Sequence, residues 1–242
     1  MDFFIAILAG GKSRRFRFGS NKAIFKIDGI PIISRLLLEI PKLNIRPRIV
    51  FISLHNKSQK DEILESIRGH IKLNKTNGAE FTLIFTGKSG EVKIPLILLF
   101  DIIENTECNT GKNNNRRAAI FGFRSVFKAV PTGFVQILPC DTPYFNAEIM
   151  DILMDKCLKL NRDWDALVPR WKNGFIEPLN SIYRVEIFYD IIERNLLRND
   201  LKLRSLFDEN SIIKYFDIEK NLKDIDPSFK WFKNLNTRED MI

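Results

Sequence analysis

The pattern that most restricts the fold of this chain is an alternation of short apolar runs with amphipathic helical segments. The apolar runs have the length and composition of buried strands, and we expect strands at residues 3–9, 49–53, 82–85, 94–100, 134–138 and 166–168. Strands that alternate with helices favour right-handed βαβ units and a mostly parallel sheet with helices on both faces. The sequence therefore predicts an α/β fold whose ligands lie at the carboxyl ends of the strands.

Helical patterns follow several of the apolar runs. Pro31 suits the first turn of a helix that runs to about residue 40. Asn146 is expected to cap a helix that carries an apolar stripe. Further helices are expected at 58–68, 117–129 and 185–197.

Two polar stretches rich in Asn, Gly and Lys interrupt the alternation. They span residues 86–91 and 104–117, and their composition predicts loops. A length of 242 residues with 45% hydrophobic content is enough for one packed core. We therefore expect a single domain over residues 1–242.

The composition excludes several classes of protein. The longest apolar run, at 94–100, is far shorter than the roughly 18 apolar residues of a membrane span. The amino terminus has no basic region before its apolar residues, so we expect a cytoplasmic protein without a secretory signal. Cys108, Cys140 and Cys157 form no CxxC pair and only two histidines are present, so neither a disulfide framework nor a zinc site is expected.

The charge of the chain favours anionic ligands. The formal net charge is +8, which attracts nucleotides, nucleic acids and phosphorylated molecules. Because histidine and cysteine are scarce, any metal is expected to be bound by oxygen ligands, as Mg²⁺ is.

The segment ILAGGKSRRFRFGSNKA, residues 7–23, leads from the first apolar run into a loop without acidic residues. Gly10 and Gly11 have no side chains, so their backbone N–H groups can reach a phosphate. Ser13 adds a hydroxyl and Lys22 an ammonium group. Three arginines add charge-assisted donors: Arg14, Arg15 and Arg17. The loop matches neither the Walker nor the Rossmann glycine pattern, so the residues alone leave two interpretations, a polyphosphate cradle or a basic turn without a ligand.

A second candidate site follows the predicted strand at 134–138, where the sequence reads PCDTPY. Asp141 stands at the strand end between two prolines, where a carboxylate can hold a divalent metal against triphosphate oxygens. The alternative is that Asp141 caps a turn before Pro143. Cys140 beside it is expected to pack rather than to react.

These segments together resemble a known family. The motif LAGGxSxR, from Leu8 to Arg15, and the motif GxxKA, from Gly19 to Ala23, are similar to the signature loop of nucleotidyltransferases that activate sugar phosphates, isoprenoid precursors and molybdopterin. Among these enzymes the chain resembles the molybdenum cofactor guanylyltransferase family. The segment PCDTPY is also similar to the metal-binding motif of that family. The resemblance implies a three-layer Rossmann-like nucleotidyltransferase fold with a mostly parallel central sheet. It also implies a nucleotide-binding half at about 1–145 and an acceptor-binding half at about 146–242.

The resemblance implies roles for individual residues. Arg15, Lys22 and Asp141 would act in catalysis, with Asp141 as the Mg²⁺ ligand. The implied nucleotide-binding residues are Leu8, Ala9, Gly10, Gly11, Ser13, Lys22, Asn56, Asp101 and Asp141. The implied acceptor-side residues are Glu177, Asn234 and Asn236.

The chain departs from the family pattern at several positions. The loop is longer than usual after Arg15, which leaves Arg17 as an alternative working arginine. Asn21 stands where Asp is common, and Glu177 stands where His is common. The Gly-Pro segment that usually follows the position of Asp101 is absent, so the sequence does not determine which nucleotide base is recognised.

The resemblance implies a magnesium-dependent enzyme that transfers GMP from GTP to molybdopterin and releases pyrophosphate. A second interpretation keeps this chemistry with CTP or UTP as donor, or with a sugar, polyol or lactate phosphate as acceptor. A third is a relative without catalysis that serves as a binding or regulatory partner. The alternative from another class is a basic nucleic-acid-binding protein, in which Asp141 has no purpose. We expect neither a nucleic-acid nor a membrane partner.

Overall fold

The computed structural model describes residues 2–10, 21–87, 90–101, 118–160, 163–207 and 211–235. Within these ranges the strands are β1 (Phe3–Leu8), β2 (Lys26–Ile27), β3 (Ile30–Pro31), β4 (Val50–Leu54), β5 (Lys72–Asn77), β6 (Glu80–Gly87), β7 (Gly90–Phe100), β8 (Phe134–Pro139), β9 (Ala166–Arg170), β10 (Ile182–Arg184) and β11 (Ile213–Asp217). The helices are α1 (Ile32–Glu39), α2 (Gln59–Arg68), α3 (Ala119–Ala129), α4 (Ala147–Lys159), α5 (Val185–Leu197) and α6 (Ile218–Leu222).

Nine of the described strands form one sheet in the order β11-β9-β10-β8-β1-β4-β7-β6-β5. The four central strands, β8, β1, β4 and β7, run parallel to one another. Strands β6 and β10 run against the other strands of the sheet, so most of the described strands point in one direction. Strands β2 and β3 form a separate two-stranded ribbon.

Helices cover both faces of the sheet. The central strands β4 and β8 consist of buried residues only, as expected for parallel strands with helices on both sides. On one face the apolar sides of α1, α2 and α4 enter a core that includes Leu36, Ile63 and Leu153. On the other face α3 and α5 contribute Phe123 and Phe188 to a second core. The predicted three-layer α/β fold is confirmed.

All six predicted strands and all five predicted helices are present, with small differences at their ends. Asn146 caps α4 as predicted, because its Oδ1 accepts the N–H of Ile149 at 3.2 Å. The prediction for Pro31 is wrong by one residue, since Pro31 pairs with Lys26 in the ribbon and α1 begins at the next residue.

Three strands of the large sheet, β5, β10 and β11, lie outside the predicted apolar runs. The first and last lie at the edges of the sheet, where polar and exposed residues hide the apolar pattern of a strand. The prediction of a loop at 86–91 is wrong for the residues that the structure describes. Thr86 pairs with Glu91 and Gly87 with Gly90, so the antiparallel pairing of β6 and β7 extends through them. The loop predicted at 104–117 lies outside the described residues.

Within the described residues, no helix has the length and apolar character needed to cross a bilayer. Cys140 and Cys157 are buried free thiols, and burial raises the pKa of each well above its ordinary value. Cys140 therefore packs as a neutral side chain. Cys108 lies outside the described residues.

Candidate active site

The carboxyl ends of β1 and β8 bring the two candidate motifs to the same place. Leu8 in β1 is level with Pro139 in β8. Gly10 and Asp141 each follow two residues after this pair, so the glycine loop and the PCDTPY turn leave the sheet side by side. The parallel register therefore joins motifs that are far apart in the sequence.

The carboxyl ends of β4 and β7 lie next to those of β1 and β8. Leu54 pairs with Phe100, and the next residues along the two strands are His55 and Asp101. The Ser53 hydroxyl donates to Asp101 Oδ1 at 2.8 Å. The Nδ1 atom of His55 lies 3.4 Å from Asp101 Oδ2. One oxygen of the Asp101 carboxylate therefore accepts a hydrogen bond from β4, and the other faces the His55 ring.

Two glycines approach the same carboxylate at positions where a side chain would not fit. A Cβ on Gly10 would lie 2.9 Å from the backbone nitrogen of His55 and 3.2 Å from Asp101 Oδ2. A Cβ on Gly122, near the start of α3, would lie 3.2 Å from Ser53 Oγ. Residues Gly10, Ser53, His55, Asp101 and Gly122 thus form a tightly packed unit, which we call the Asp101 corner.

His55 and Gly122 are residues of this corner that sequence reasoning missed. His55 Nδ1 is buried and has no hydrogen-bond partner in the described part of the chain, although its ring faces Asp101. The available signal was positional: His55 and Asp101 each directly follow an apolar run in the sequence. Only the pairing of β4 with β7 shows that these strand ends are adjacent.

Asn56 is half-buried beside the Asp101 corner, at the start of α2. Its Oδ1 accepts the hydroxyl of Ser58 at 2.7 Å and the N–H of Gln59 at 3.3 Å. Gln59 in turn accepts the backbone N–H of His55 at 2.9 Å. The side-chain oxygen of Asn56 is thus used to begin α2, which leaves its amide NH₂ as the group for the predicted nucleotide contact.

Lys22 begins a short 3₁₀ turn that returns the chain from the glycine loop to the core. Asn21 caps this turn, since its Oδ1 accepts the N–H of Ala23 at 3.1 Å. The Nδ2 atom of Asn21 is buried without a hydrogen-bond partner in the described part of the chain. The positive charge of Lys22 lowers the pKa of the Asp141 carboxyl, so the two predicted catalytic side chains are neighbours.

Asp141 lies in a half-buried turn that distant parts of the chain hold in place. Burial raises the pKa of its carboxyl above the usual range, and Lys22 offsets only part of this effect. Its backbone carbonyl accepts the N–H of Leu235 at 2.8 Å. The next residue, Thr142, is fully buried and donates its hydroxyl to Asn180 Oδ1 at 3.1 Å. The turn is therefore fixed by the backbone while its carboxylate lacks full charge compensation.

Glu177 is the second carboxylate of this region. Burial raises the pKa of Glu177, and the negative charge of Asp141 raises it further. The indole N–H of Trp171 donates to Glu177 Oε1 at 2.7 Å, which acts in the opposite direction. We call this region the Asp141 corner, and its residues are Lys22, Asp141, Thr142, Trp171, Glu177 and Leu235.

The donor set of the Asp141 corner fits a hard divalent cation that is shared with a substrate. The part of the chain that the structure describes contains no group of three His, Cys, Asp or Glu side chains able to hold a metal alone. Asp141 and Glu177 are two neighbouring carboxylates whose pKa values are both raised. Carboxylates that complete their shell with phosphate oxygens are the usual protein ligands of Mg²⁺.

The described residues place the remaining predicted positions as follows. The backbone N–H of Ala9 donates to the Ser53 carbonyl at 2.9 Å, so this amide is used by the sheet rather than offered to a ligand. Asn234 is exposed directly before Leu235, near the turn of Asp141. Six predicted residues lie outside the described ranges: Gly11, Ser13, Arg14, Arg15, the alternative Arg17, and Asn236.

The comparisons with known proteins identify the family of the chain. The chain matches the family described as MobA-like NTP transferase domain over residues 5–79 and 102–213. The match leaves out residues 1–4, 80–101 and 214–242, and its internal gap contains β6 and β7.

Individual relatives carry one recurring name. A Pyrococcus furiosus protein named probable molybdenum cofactor guanylyltransferase is 30% identical over 98% of this chain and 93% of its own length. A Pyrococcus horikoshii protein with the same name is 26% identical over 100% of this chain and 98% of its own length. The solved structure of molybdopterin-guanine dinucleotide biosynthesis protein A from Archaeoglobus fulgidus has a TM-score of 0.66 at 19% identity, covering 98% of this chain and 94% of that one. This last likeness is one of fold.

Proposed function

Because the chain belongs to the MobA-like NTP transferase family, whose members are nucleotidyltransferase enzymes, we propose that it transfers GMP from GTP to molybdopterin and releases pyrophosphate. The observation that carries the proposal is that Gly10 and Asp141 follow the paired strands β1 and β8, with the positive charge of Lys22 acting on the Asp141 carboxyl. The names of the two archaeal relatives support GTP and molybdopterin as the substrates.

In this proposal the glycine loop and Lys22 bind the triphosphate. The ammonium group of Lys22 and the guanidinium of Arg15, or of Arg17 in its place, neutralise the negative charge that develops on the phosphate oxygens. Backbone N–H groups from Gly10 onward add donors, and Ser13 adds a hydroxyl. Fixed charges and positioning can supply most of the rate in phosphoryl-type transfer, so no covalent enzyme intermediate is required.

Asp141 is the residue that would hold Mg²⁺ in the proposed reaction. A bound Mg²⁺ supplies charge neutralisation and orientation of the phosphate oxygens. A cation is expected to bind here because burial raises the pKa of the Asp141 carboxyl, and the positive charge of Lys22 offsets only part of that rise. The backbone bond from Leu235 keeps the turn of Asp141 in place before any ligand arrives.

Glu177, Asn234 and Asn236 are proposed to line the acceptor side. A terminal phosphate oxygen of the acceptor forms a bond to the α-phosphorus of the nucleotide, while the bond from that phosphorus to the bridging oxygen of the β-phosphate breaks. The electron pair of the broken bond leaves with pyrophosphate. The proposal assigns residues up to about 145 to the nucleotide and those from about 146 to the acceptor.

The test is Mg²⁺-dependent binding and turnover with GTP, CTP, UTP and ATP in parallel, with molybdopterin as acceptor. We expect a clear preference for GTP and loss of turnover in Asp141→Ala. Asp155→Asn, an exposed position in α4, is the control and should behave as the wild type. Preference for CTP or UTP, or turnover only with a sugar, polyol or lactate phosphate, would replace the substrates and keep the chemistry. Absence of Mg²⁺-dependent binding of all four nucleotides would refute the proposal.

A further inference from the structure

His55 presents an imidazole ring that the proposed reaction does not use. The ring lies at the carboxyl end of β4, its side chain is 11% exposed, and it faces the carboxylate of Asp101 at the end of β7. The Nδ1 atom is buried without a hydrogen-bond partner in the described part of the chain, and it stands 3.4 Å from Asp101 Oδ2. Buried polar atoms are seldom left unbonded, so the pair is a candidate for a hydrogen bond that tightens when a ligand binds.

The backbone of His55 is held on two sides. Its N–H donates to Gln59 Oε1, at the start of α2, at 2.9 Å. Gly10 packs on the same backbone, since a Cβ on Gly10 would lie 2.9 Å from the His55 nitrogen and 3.4 Å from its Cα. The imidazole is therefore anchored by α2 and by the first residue of the glycine loop, and it offers a fixed point against which the Asp101 carboxylate can be oriented.

Strands β4 and β7 are joined without this ring. The backbone N–H of Asp101 donates to the Leu54 carbonyl at 2.8 Å, and the Ser53 hydroxyl donates to Asp101 Oδ1 at 2.8 Å. The terminal torsion of an aspartate side chain is soft, so a donor on Oδ2 would add control over the plane of the carboxylate. The ring thus lies where it can orient Asp101 rather than where it is needed to hold the sheet.

We propose that His55 is a positioning residue for the nucleotide. When the nucleotide binds, Nδ1–H of His55 donates to Asp101 Oδ2, and the oriented carboxylate accepts a hydrogen bond from an N–H or O–H group of the base or ribose. A carboxylate beside Nδ1 favours the tautomer that carries its hydrogen there. A carboxylate has roughly four acceptor sites, so Asp101 can accept from Ser53, His55 and a nucleotide together.

The place of the glycine loop makes the nucleotide the ligand of this pair. Gly10 begins the loop that is proposed to bind the phosphates, and a Cβ on it would lie 3.2 Å from Asp101 Oδ2. A nucleotide whose phosphates lie on this loop therefore has its ribose or base within reach of Asp101. This inference rests on the proposed function.

The test is Mg²⁺-dependent binding of GTP, CTP, UTP and ATP to the full chain, measured by isothermal titration calorimetry. His55→Leu removes Nδ1 and keeps a side chain of similar size. The Kd of the nucleotide that the wild type prefers should rise about tenfold in this variant, which is the size of one lost hydrogen bond. His70→Leu, at the exposed second histidine of the chain, is the control and should bind as the wild type does.

Two amide variants separate positioning from a merely structural role. His55→Asn places its amide where Nδ1 stands and should bind the nucleotide within about twofold of the wild type. His55→Gln, whose amide reaches the place of Nε2 instead, should bind as weakly as His55→Leu. In turnover the loss should fall on the KM of the nucleotide more than on kcat, because the ring touches no reacting atom.

Urea unfolding checks that the variants are folded, and if His55→Leu does not fold, the comparison of the Asn and Gln variants decides alone. A Kd in folded His55→Leu equal to that of the wild type would overturn the inference and leave the proposed function standing. Equal binding by the Asn and Gln variants would do the same. A wild type that binds none of the four nucleotides would refute both.

Discussion

Asp101 and Asp141 both lie just beyond the carboxyl ends of central strands, β7 and β8, yet their surroundings differ. Asp101 accepts the Ser53 hydroxyl at 2.8 Å, faces the His55 ring and is crowded by Gly10 and by α3. Asp141 has a raised pKa that Lys22 compensates only in part, with a second carboxylate nearby. A serine hydroxyl engages the first carboxylate, while burial leaves the second with a raised pKa. The same local pattern, an apolar strand followed by Asp, thus gives two different environments, and the ligand roles of both carboxylates stay predictions.

The largest expected effect separates activity from stability at Asp141. Asp141→Asn should lower turnover by about 100-fold or more, the size seen when one group that stabilises transition-state charge is removed. Its free energy of unfolding without ligand should stay equal or rise, because burial already disfavours the charged carboxyl. Pyrophosphate release and urea unfolding in EDTA measure the two quantities. Retained turnover, or a clear loss of stability, would contradict the assignment of Asp141 to the ligand.

The opposite result is expected in the Asp101 corner. Asp101→Ala should lower the free energy of unfolding by about 2–3 kcal/mol, because the Ser53 hydroxyl loses its acceptor and a cavity opens. The double variant Ser53→Ala/Asp101→Ala should be less destabilised than the sum of its single variants. Urea unfolding of the four proteins measures this coupling. Additive effects would mean that the hydrogen bond does not connect the strands as described.

A smaller effect is expected from filling the space beside Asp101. Gly10→Ala should destabilise the protein by about 2 kcal/mol, because its Cβ would stand 2.9 Å from the backbone nitrogen of His55. Gly69→Ala is the matched control, since the nearest atoms to its Cβ would be at 3.8 Å. Thermal unfolding should show a lowered midpoint for the first variant and little change for the second. Equal midpoints would show that Gly10 and His55 lie farther apart than these distances indicate.

The smallest effect is a pH dependence from the Asp141 corner. Glu177 has a raised pKa in the folded chain, caused first by burial, so the folded state binds its proton more tightly than the unfolded state does. Its contribution to stability is therefore present below the ordinary pKa of about 4 and is lost as the pH rises through the folded value. As the pH falls from 7 to 5, the free energy of unfolding of ligand-free wild type should rise relative to that of Glu177→Gln. Urea unfolding at both pH values in EDTA checks this, and identical changes in the two proteins would exclude it.

The order of strands and helices was predictable because it depends on local apolar spacing. The bounds of α5, Val185–Leu197, agree with the prediction, and Asn146 caps α4 as expected. Edge strands were missed because their polar residues, as in Lys72–Asn77, carry no apolar alternation. The hairpin ending at Gly87 and Gly90 was missed because backbone pairing, rather than burial, holds its polar end.

The candidate site was predictable in part. The glycine loop and PCDTPY could be found because each motif is a continuous stretch of chemistry-bearing residues. His55 and Gly122 could not be found, because their importance depends on contacts with Ser53 and Asp101 across strands and a helix. The assignments of all the predicted site residues to substrates, Lys22 and Asp141 included, stay predictions.

The sequence by itself determined the α/β class, the positions of the buried strands, and the two motifs that follow β1 and β8. These features arise from short-range periodicity and from residue types in a row, which need no knowledge of the fold. Only the tertiary structure decided that Asp101 is bonded by Ser53, 48 positions away, while Asp141 is left with Lys22 and a second carboxylate. The physical reason is that burial and charge compensation depend on which strand ends become neighbours, and the order of the sheet fixes those neighbours.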